Sequence, residues 1–346
     1  MTVVGLFLVA FSLIAEPGGE RSLPTEPEVR KAIERGLPYM LREGVNWKAG
    51  KKCVACHHVP LAVWTHYEAR GRGFEIDQKK VDALADGMIE SSAAKKYPDE
   101  LVDGFLDTLM LASERMAGFE RHAEAFDMFQ ALLAKQQLED GSWLRRDGHK
   151  EPGFAIIPPA LKDQDEAKRE AREVDTMWAV LGLDALNRRG DRLKVETKQT
   201  IERQRSAALA FLKESQGGSR RDGLAFRLLV ARDEDDSEKA ARWRKALLEQ
   251  QNDDGGWGLI AGDPSHPLVT GQALYALGTA GADDEPAVRR AWQYLLKAQR
   301  DDGLWPGSSR AIVNHRNYVT DNFATGWAIL GLLRTLPPMA VSEPNR

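Results

Sequence analysis

The chain has 346 residues, and 42% of them are hydrophobic, enough to build a real core. Its formal net charge of −4 gives no electrostatic reason to expect nucleic acid or an anionic membrane surface as a partner. The only two cysteines, Cys53 and Cys56, lie three positions apart, which excludes a disulfide framework.

The first apolar run, Val3 to Ile14, ends in Ala15-Glu16-Pro17-Gly18. It is too short to span a bilayer and reads as the core of an export signal over residues 1–15, although no Lys or Arg precedes it. The expectation is an exported, periplasmic or extracytoplasmic protein with a soluble body and no other transmembrane segment. A Pro-rich linker over 16–27 leads into a helical body over 28–337, and residues 338–346 form a tail.

Glu28 to Arg42 predicts an amphipathic helix with Val29, Ile33 and Leu37 on one stripe, kinked or split at Pro38. Trp47 then stands in a turn, and Pro60 to Arg70 forms the partner helix, with proline in its first turn. Asp77 to Ser91 and Asp99 to Met116 make a second hairpin, and His122 to Gln137 with Val174 to Leu186 a third. The connecting segment of the third, Leu144 to Glu173, has the length of a lid or binding loop. Thr200 to Gln216 with Leu224 to Ala231 is a worn fourth pair. Ser237 to Gln251 with Val269 to Gly281, and Pro286 to Gln299 with Asn322 to Leu336, complete six.

In each pair the first helix is the more charged and the second the more apolar. The first set should face solvent, and the second should form an inner ring around a central cavity. Because the order is always outer then inner, every connecting turn falls on one rim. Trp257 and Trp305 lie 48 residues apart in nearly the same context, a repeat length that suits stacked two-helix units.

The segments Gln250 to Trp257, Gln299 to Trp305 and Gln136 to Trp143 resemble the QW repeats of squalene and oxidosqualene cyclases and their prenyltransferase relatives. The resemblance runs over roughly residues 28–336 and implies an all-α chain folded as an (α/α)6 toroid. It also implies a central cavity for isoprenoid chains, lined here by Trp178, Tyr275, Phe323 and Trp327; the plainer alternative is that these aromatics fill a closed core. Chemistry is less transferable than fold. Asp233-Glu234-Asp235-Asp236 matches the Asp-x-Asp-Asp acid of the cyclases as a string, but it falls between an inner helix and the next outer one, where acidic residues cap helices. The Asp-x-Cys zinc pair of protein prenyltransferases is absent from the sequence. Asp103, Asp175 and Asp321 fall near the starts of inner helices, as a ring at the cavity mouth or, more plainly, as helix N-terminal residues.

Cys53-Val54-Ala55-Cys56-His57 fits the c-type haem attachment signature, with two thiols for the vinyl groups and His57 as the proximal iron ligand. The motif lies in an outer-to-inner turn, as do His149, His266 and His315; His266 and His315 are the candidates for a second axial ligand. A redox-active or structural disulfide, a zinc site using the cysteines and a rim histidine, and a chance occurrence of the string are the competing readings. The combination of QW toroid and Cys-x-x-Cys-His is similar to exported planctomycete-type repeat proteins. The functional expectation is a haem c-bearing redox or electron-transfer module with a partner protein and a hydrophobic molecule. The alternatives are a non-haem isoprenoid or lipid binder, or a divergent terpene cyclase.

Overall fold

The computed structural model describes residues 23–50, 58–93, 131, 133–143, 164–188, 193–215, 221–282, 286–307 and 317–337. The helices are α1 (Glu26–Gly50), α2 (His58–Gly71), α3 (Gln78–Ala93), α4 (Gln164–Asn187), α5 (Val195–Glu214), α6 (Arg221–Asp233), α7 (Ser237–Glu249), α8 (Pro267–Thr279), α9 (Pro286–Ala298) and α10 (Asn317–Thr335). Among the described residues there is no strand, and the architecture is an α/α toroid.

The two classes of helix follow from side-chain pattern. In α9 the buried residues are Ala287, Val288, Ala291, Trp292 and Leu295, one stripe at helical spacing, while Arg289 and Arg290 are exposed. In α2 every residue from His58 to Ala69 is buried, which only an inner position allows. The inner helices follow one another around the ring as α4, α6, α8, α10 and α2, so the last hairpin meets the first. At the tightest of these contacts, between α8 and α10, a Cβ on Gly271 would strike the Trp327 backbone and one on Gly331 would strike the Gly271 carbonyl. The small residues there let two backbones approach to a distance that no larger side chain permits.

Each Trp turn is a joint between neighbouring hairpins. The indole Nε1 of Trp143, Trp257 and Trp305 donates back to Leu133, Leu247 and Leu295 at 3.0, 2.8 and 2.8 Å. Their backbone N–H groups donate to Thr176, Thr270 and Thr325 on the inner helices, at 3.1, 2.9 and 3.0 Å. The glutamine six positions before each Trp spans the seam. Gln137 Nε2 reaches Gly141 and Gln204 (both 2.9 Å), and Gln251 reaches Gly255 and Ala287 (both 2.7 Å). Gln299 reaches Gly303 at 3.1 Å and Ala32 of α1 at 2.8 Å. Ring closure therefore uses the same joint as the Trp143 and Trp257 steps.

Three local expectations are corrected. Helix α1 runs unbroken through Pro38 to Gly50, so Trp47 sits in a helix rather than a turn. Pro38 is on the exposed face, where water can serve the carbonyl that its missing N–H abandons. Helix α4 starts at Gln164, so the second part of the segment read as a loop, 164–173, is helical. Asp175 is consequently buried inside α4 rather than at a helix start. The export segment 1–15, the second inner helix at 99–116, His122 and most of the long connection lie outside the described residues.

Candidate functional site: an aromatic cavity with an arginine collar

A cavity of about 330 Å³ lies inside the inner ring, lined by the C-terminal halves of α2, α4, α6, α8 and α10. Its floor is aromatic. Trp327 is at the centre, with edge-to-face contacts to Trp64 (5.6 Å), Trp178 (5.7 Å) and Tyr275 (5.7 Å) and a further contact to Phe226 (6.3 Å). Edge-to-face packing presents ring faces, with their negative quadrupole, as well as apolar surface.

Toward the ends of the same helices the lining turns polar, with Glu68, Arg188, Arg232, Asp233, Thr279 and Arg334. Arg188 and Arg232 are exposed and mark the mouth. Arg188 pairs with Asp233 at 3.2 Å. Arg334 pairs with the buried Glu68 and donates to the Tyr275 hydroxyl at 3.3 Å. Burial works against the Arg334 charge, but Tyr275 and Glu68 outweigh it and hold the guanidinium above its ordinary value. Burial raises Tyr275 above the ordinary phenol.

The cavity thus opens where the inner helices end, on the rim opposite the Trp turns. Of the four aromatics expected to line it, Trp178, Tyr275 and Trp327 do so; Phe323, one turn earlier on α10, is half-buried against the core and is not a lining residue. Trp64 and Phe226, and Glu68, Arg188, Arg232, Thr279 and Arg334 of the collar, are not among the residues singled out from the sequence. A helical-spacing signal was present: Trp64 and Glu68, Tyr275 and Thr279, and Trp327 and Arg334 are separated by four or seven positions on one face.

His266 is corrected as a candidate iron ligand. It is the N-cap of α8: Nδ1 accepts from the Leu268 N–H at 3.2 Å, and Nε2 donates to the Gly307 carbonyl at 2.8 Å. Both ring nitrogens are in use, the tautomer is set by these two bonds, and burial pushes the imidazole down to about 4. Asp321 is likewise structural, its Oδ1 accepting from the Gly307 N–H at 2.7 Å. Cys53, Cys56, His57, Asp103, His149 and His315 lie outside the described residues. His58, the first residue beyond the motif, is buried with its ring stacked on Trp47 at 4.2 Å.

The acidic string is used locally. Asp236 caps α7 through the Lys239 N–H (3.0 Å), Asp235 takes a positive φ of 54°, and Glu234 lies 3.7 Å from Lys239. Only Asp233 faces the cavity, and Arg188 holds it. Among the described residues no group of three His, Cys, Asp or Glu is placed to hold a metal ion. Among them, too, no helix is long and apolar enough to cross a membrane.

Fold and cavity together define an α/α toroid, and one part of its sequence is similar to squalene cyclases. Residues 225–299, which hold α6 to α9 and the Trp257 turn, match the squalene-hopene cyclase N-terminal domain family. The chain is 42% identical over 78 residues to squalene–hopene cyclase from Bradyrhizobium diazoefficiens, a stretch covering 19% of this chain and 11% of the relative. It is 46% identical over 57 residues to drimenyl diphosphate synthase from Streptantibioticus cattleyicolor, covering 16% and 10%. The aligned stretches are thus about a tenth of the length of the curated relatives. Over the whole fold it is similar to a possible member of the GH105 family from Klebsiella pneumoniae, with TM-score 0.58 and 13% identity over 97% of this chain and 99% of that one. A type II terpene cyclase from Scytonema with bound geranylgeranyl dihydroxybenzoate gives 0.54 and 12%, over 91% and 99%.

Proposed function

We propose that the chain binds a small isoprenoid or lipid-like molecule in the central cavity and acts as a non-haem receptor of squalene cyclase-like fold. The observation that carries this is the floor of five aromatic side chains meeting at Trp327, inside a cavity at the small end of the ~300–1,000 Å³ range of ligand sites. The local similarity to squalene–hopene cyclase and drimenyl diphosphate synthase supports the hydrophobic class of ligand. A cyclase acid is less well supported, because the acidic string caps and braces a helix start. Titration of the protein with geraniol, read by tryptophan fluorescence, should give a saturable change that Thr279→Phe, a plug at the mouth, removes without altering the circular dichroism. A linear, non-saturating response would exclude the cavity as the binding site.

A second reading rests on the sequence motif Cys53-Val54-Ala55-Cys56-His57, which immediately precedes α2 along the chain. In this reading Cys53 and Cys56 hold haem c covalently and His57 ligates iron, since the His58 ring is packed on Trp47. Haem would supply one-electron chemistry toward a redox partner after export to the periplasm. Such a group would sit at the end of α2 away from the cavity, so binding and redox roles would be separate. Protein made with a cytochrome c maturation system should show a Soret band that Cys53→Ala/Cys56→Ala abolishes. Stoichiometric zinc without that band would move the assignment to a zinc site.

A further inference from the structure

The lining of the cavity carries hydrogen-bond donors that the protein leaves unanswered. Among the described residues, Trp327 Nε1, Arg334 Nε and Thr279 Oγ1 are buried and have no hydrogen-bond partner. Trp327 is 1% exposed, and an indole N–H and a guanidinium Nε–H can only donate. These three groups are shielded from water by the protein itself, so their desolvation is unrepaid unless a small shift of the side chains brings them onto an oxygen acceptor.

Charge at the mouth points the same way. Three guanidiniums, Arg188, Arg232 and Arg334, face two carboxylates, Asp233 and Glu68. Asp233 is taken by Arg188 and Glu68 by Arg334, so Arg232 stands exposed at the rim with no carboxylate partner among the described residues. The C-terminal ends of five inner helices converge here, and their partial negative charges accommodate some of this positive charge. That effect alone asks for cations near the helix ends. It does not account for a guanidinium, Arg232, left without a carboxylate among the described residues at the mouth of an aromatic cavity.

We infer that the ligand is an amphiphile with one oxyanion head, carboxylate or phosphate monoester, held at the collar by Arg232 with Arg334 and Thr279, and with a short apolar tail on the Trp64–Trp178–Trp327 floor. This rests on the binding role proposed above and names its ligand class. Charge-assisted bonds to a head group of this kind are the strong ones, and guanidinium geometry suits either oxyanion.

The test compares four probes of one chain length on the intact protein, each titrated by tryptophan fluorescence: geranic acid, geranyl monophosphate, geraniol and myrcene. At least one of the two anions should bind about ten-fold tighter than geraniol and myrcene. The tighter anion identifies the head. Arg232→Gln should erase that preference while leaving myrcene affinity and the melting temperature unchanged. If Arg232 only complements helix ends, the variant melts lower and keeps the preference, which overturns the inference. Equal binding of myrcene and both anions also overturns it but leaves the cavity as a binding site. No binding by any probe overturns both.

Discussion

Gln299 Nε2 donates to the backbone carbonyl of Ala32 at 2.8 Å, across 267 positions of sequence, and this contact closes the ring. The same amide donates to Gly303, and its Oε1 accepts from Arg35 at 2.6 Å. Gln299→Leu keeps the side chain's bulk and strands two carbonyls. It should lower stability by about 2 kcal/mol in urea unfolding, the cost of unsatisfied buried acceptors. Gln251→Leu should cost a similar amount, because its amide makes the same two bonds one step earlier in the ring. A loss confined to Gln299 would show that closure is energetically special.

Gly303 and Gly262 separate two effects of glycine. Both have positive φ, 87° and 85°. A Cβ at 303 would overlap the Arg35 carbonyl, whereas one at 262 meets nothing within 4 Å. Gly262→Ala should therefore cost only the left-handed backbone penalty of about 1 kcal/mol, and Gly303→Ala at least ~2 kcal/mol more. Equal melting temperatures for the two variants would contradict the close approach at the seam.

The buried imidazole of His266 makes the fold acid-sensitive. Its folded value of about 4 lies below the ordinary His value of 6.5, so between these limits the unfolded chain binds more protons and stability rises with pH. The contribution is complete above about pH 6.5 and is lost as pH falls through 4, for a total of about 3 kcal/mol. Protonation also removes the Nδ1 lone pair that caps α8. His266→Asn, which can still cap, should remove about half of the slope of the stability profile between pH 6.5 and 4, His66 supplying the rest. An unchanged slope would mean that His266 is not a titrating group; His66, buried and also pushed down to about 4, would then account for all of it.

Glu68 is 1% exposed and pairs with Arg334. Arg334→Met breaks this buried pair and should destabilise by up to about 3–5 kcal/mol. Adding Glu68→Gln should restore most of that loss, since the double variant buries no charge. Additive losses in the double-mutant cycle would show that the pair is not coupled.

Much of the ring was legible because each cue was local. Trp143, Trp257 and Trp305 follow a Gly turn in near-identical contexts, and the contrast between charged and apolar partner helices shows which set faces inward. Less was visible wherever exposure decided the outcome. Pro38 looked like a break because its side chain's orientation toward solvent was not known. Gln164 to Glu173 looked like a loop because its charges hid a helical extension. His266 looked like a ligand because Gly307, its hydrogen-bond partner, is 41 residues away in sequence.

Sequence alone determined the repeating unit, the alternation of outer and inner helices, and the rim on which the Trp turns lie, since these depend on spacing within about fifty residues. Tertiary structure alone decided which ends of the inner helices enclose the cavity, and which side chains meet there. Trp64, Trp178 and Trp327 come from three distant hairpins, and only closure of the ring through Gln299 and Ala32 brings them within ring-contact distance.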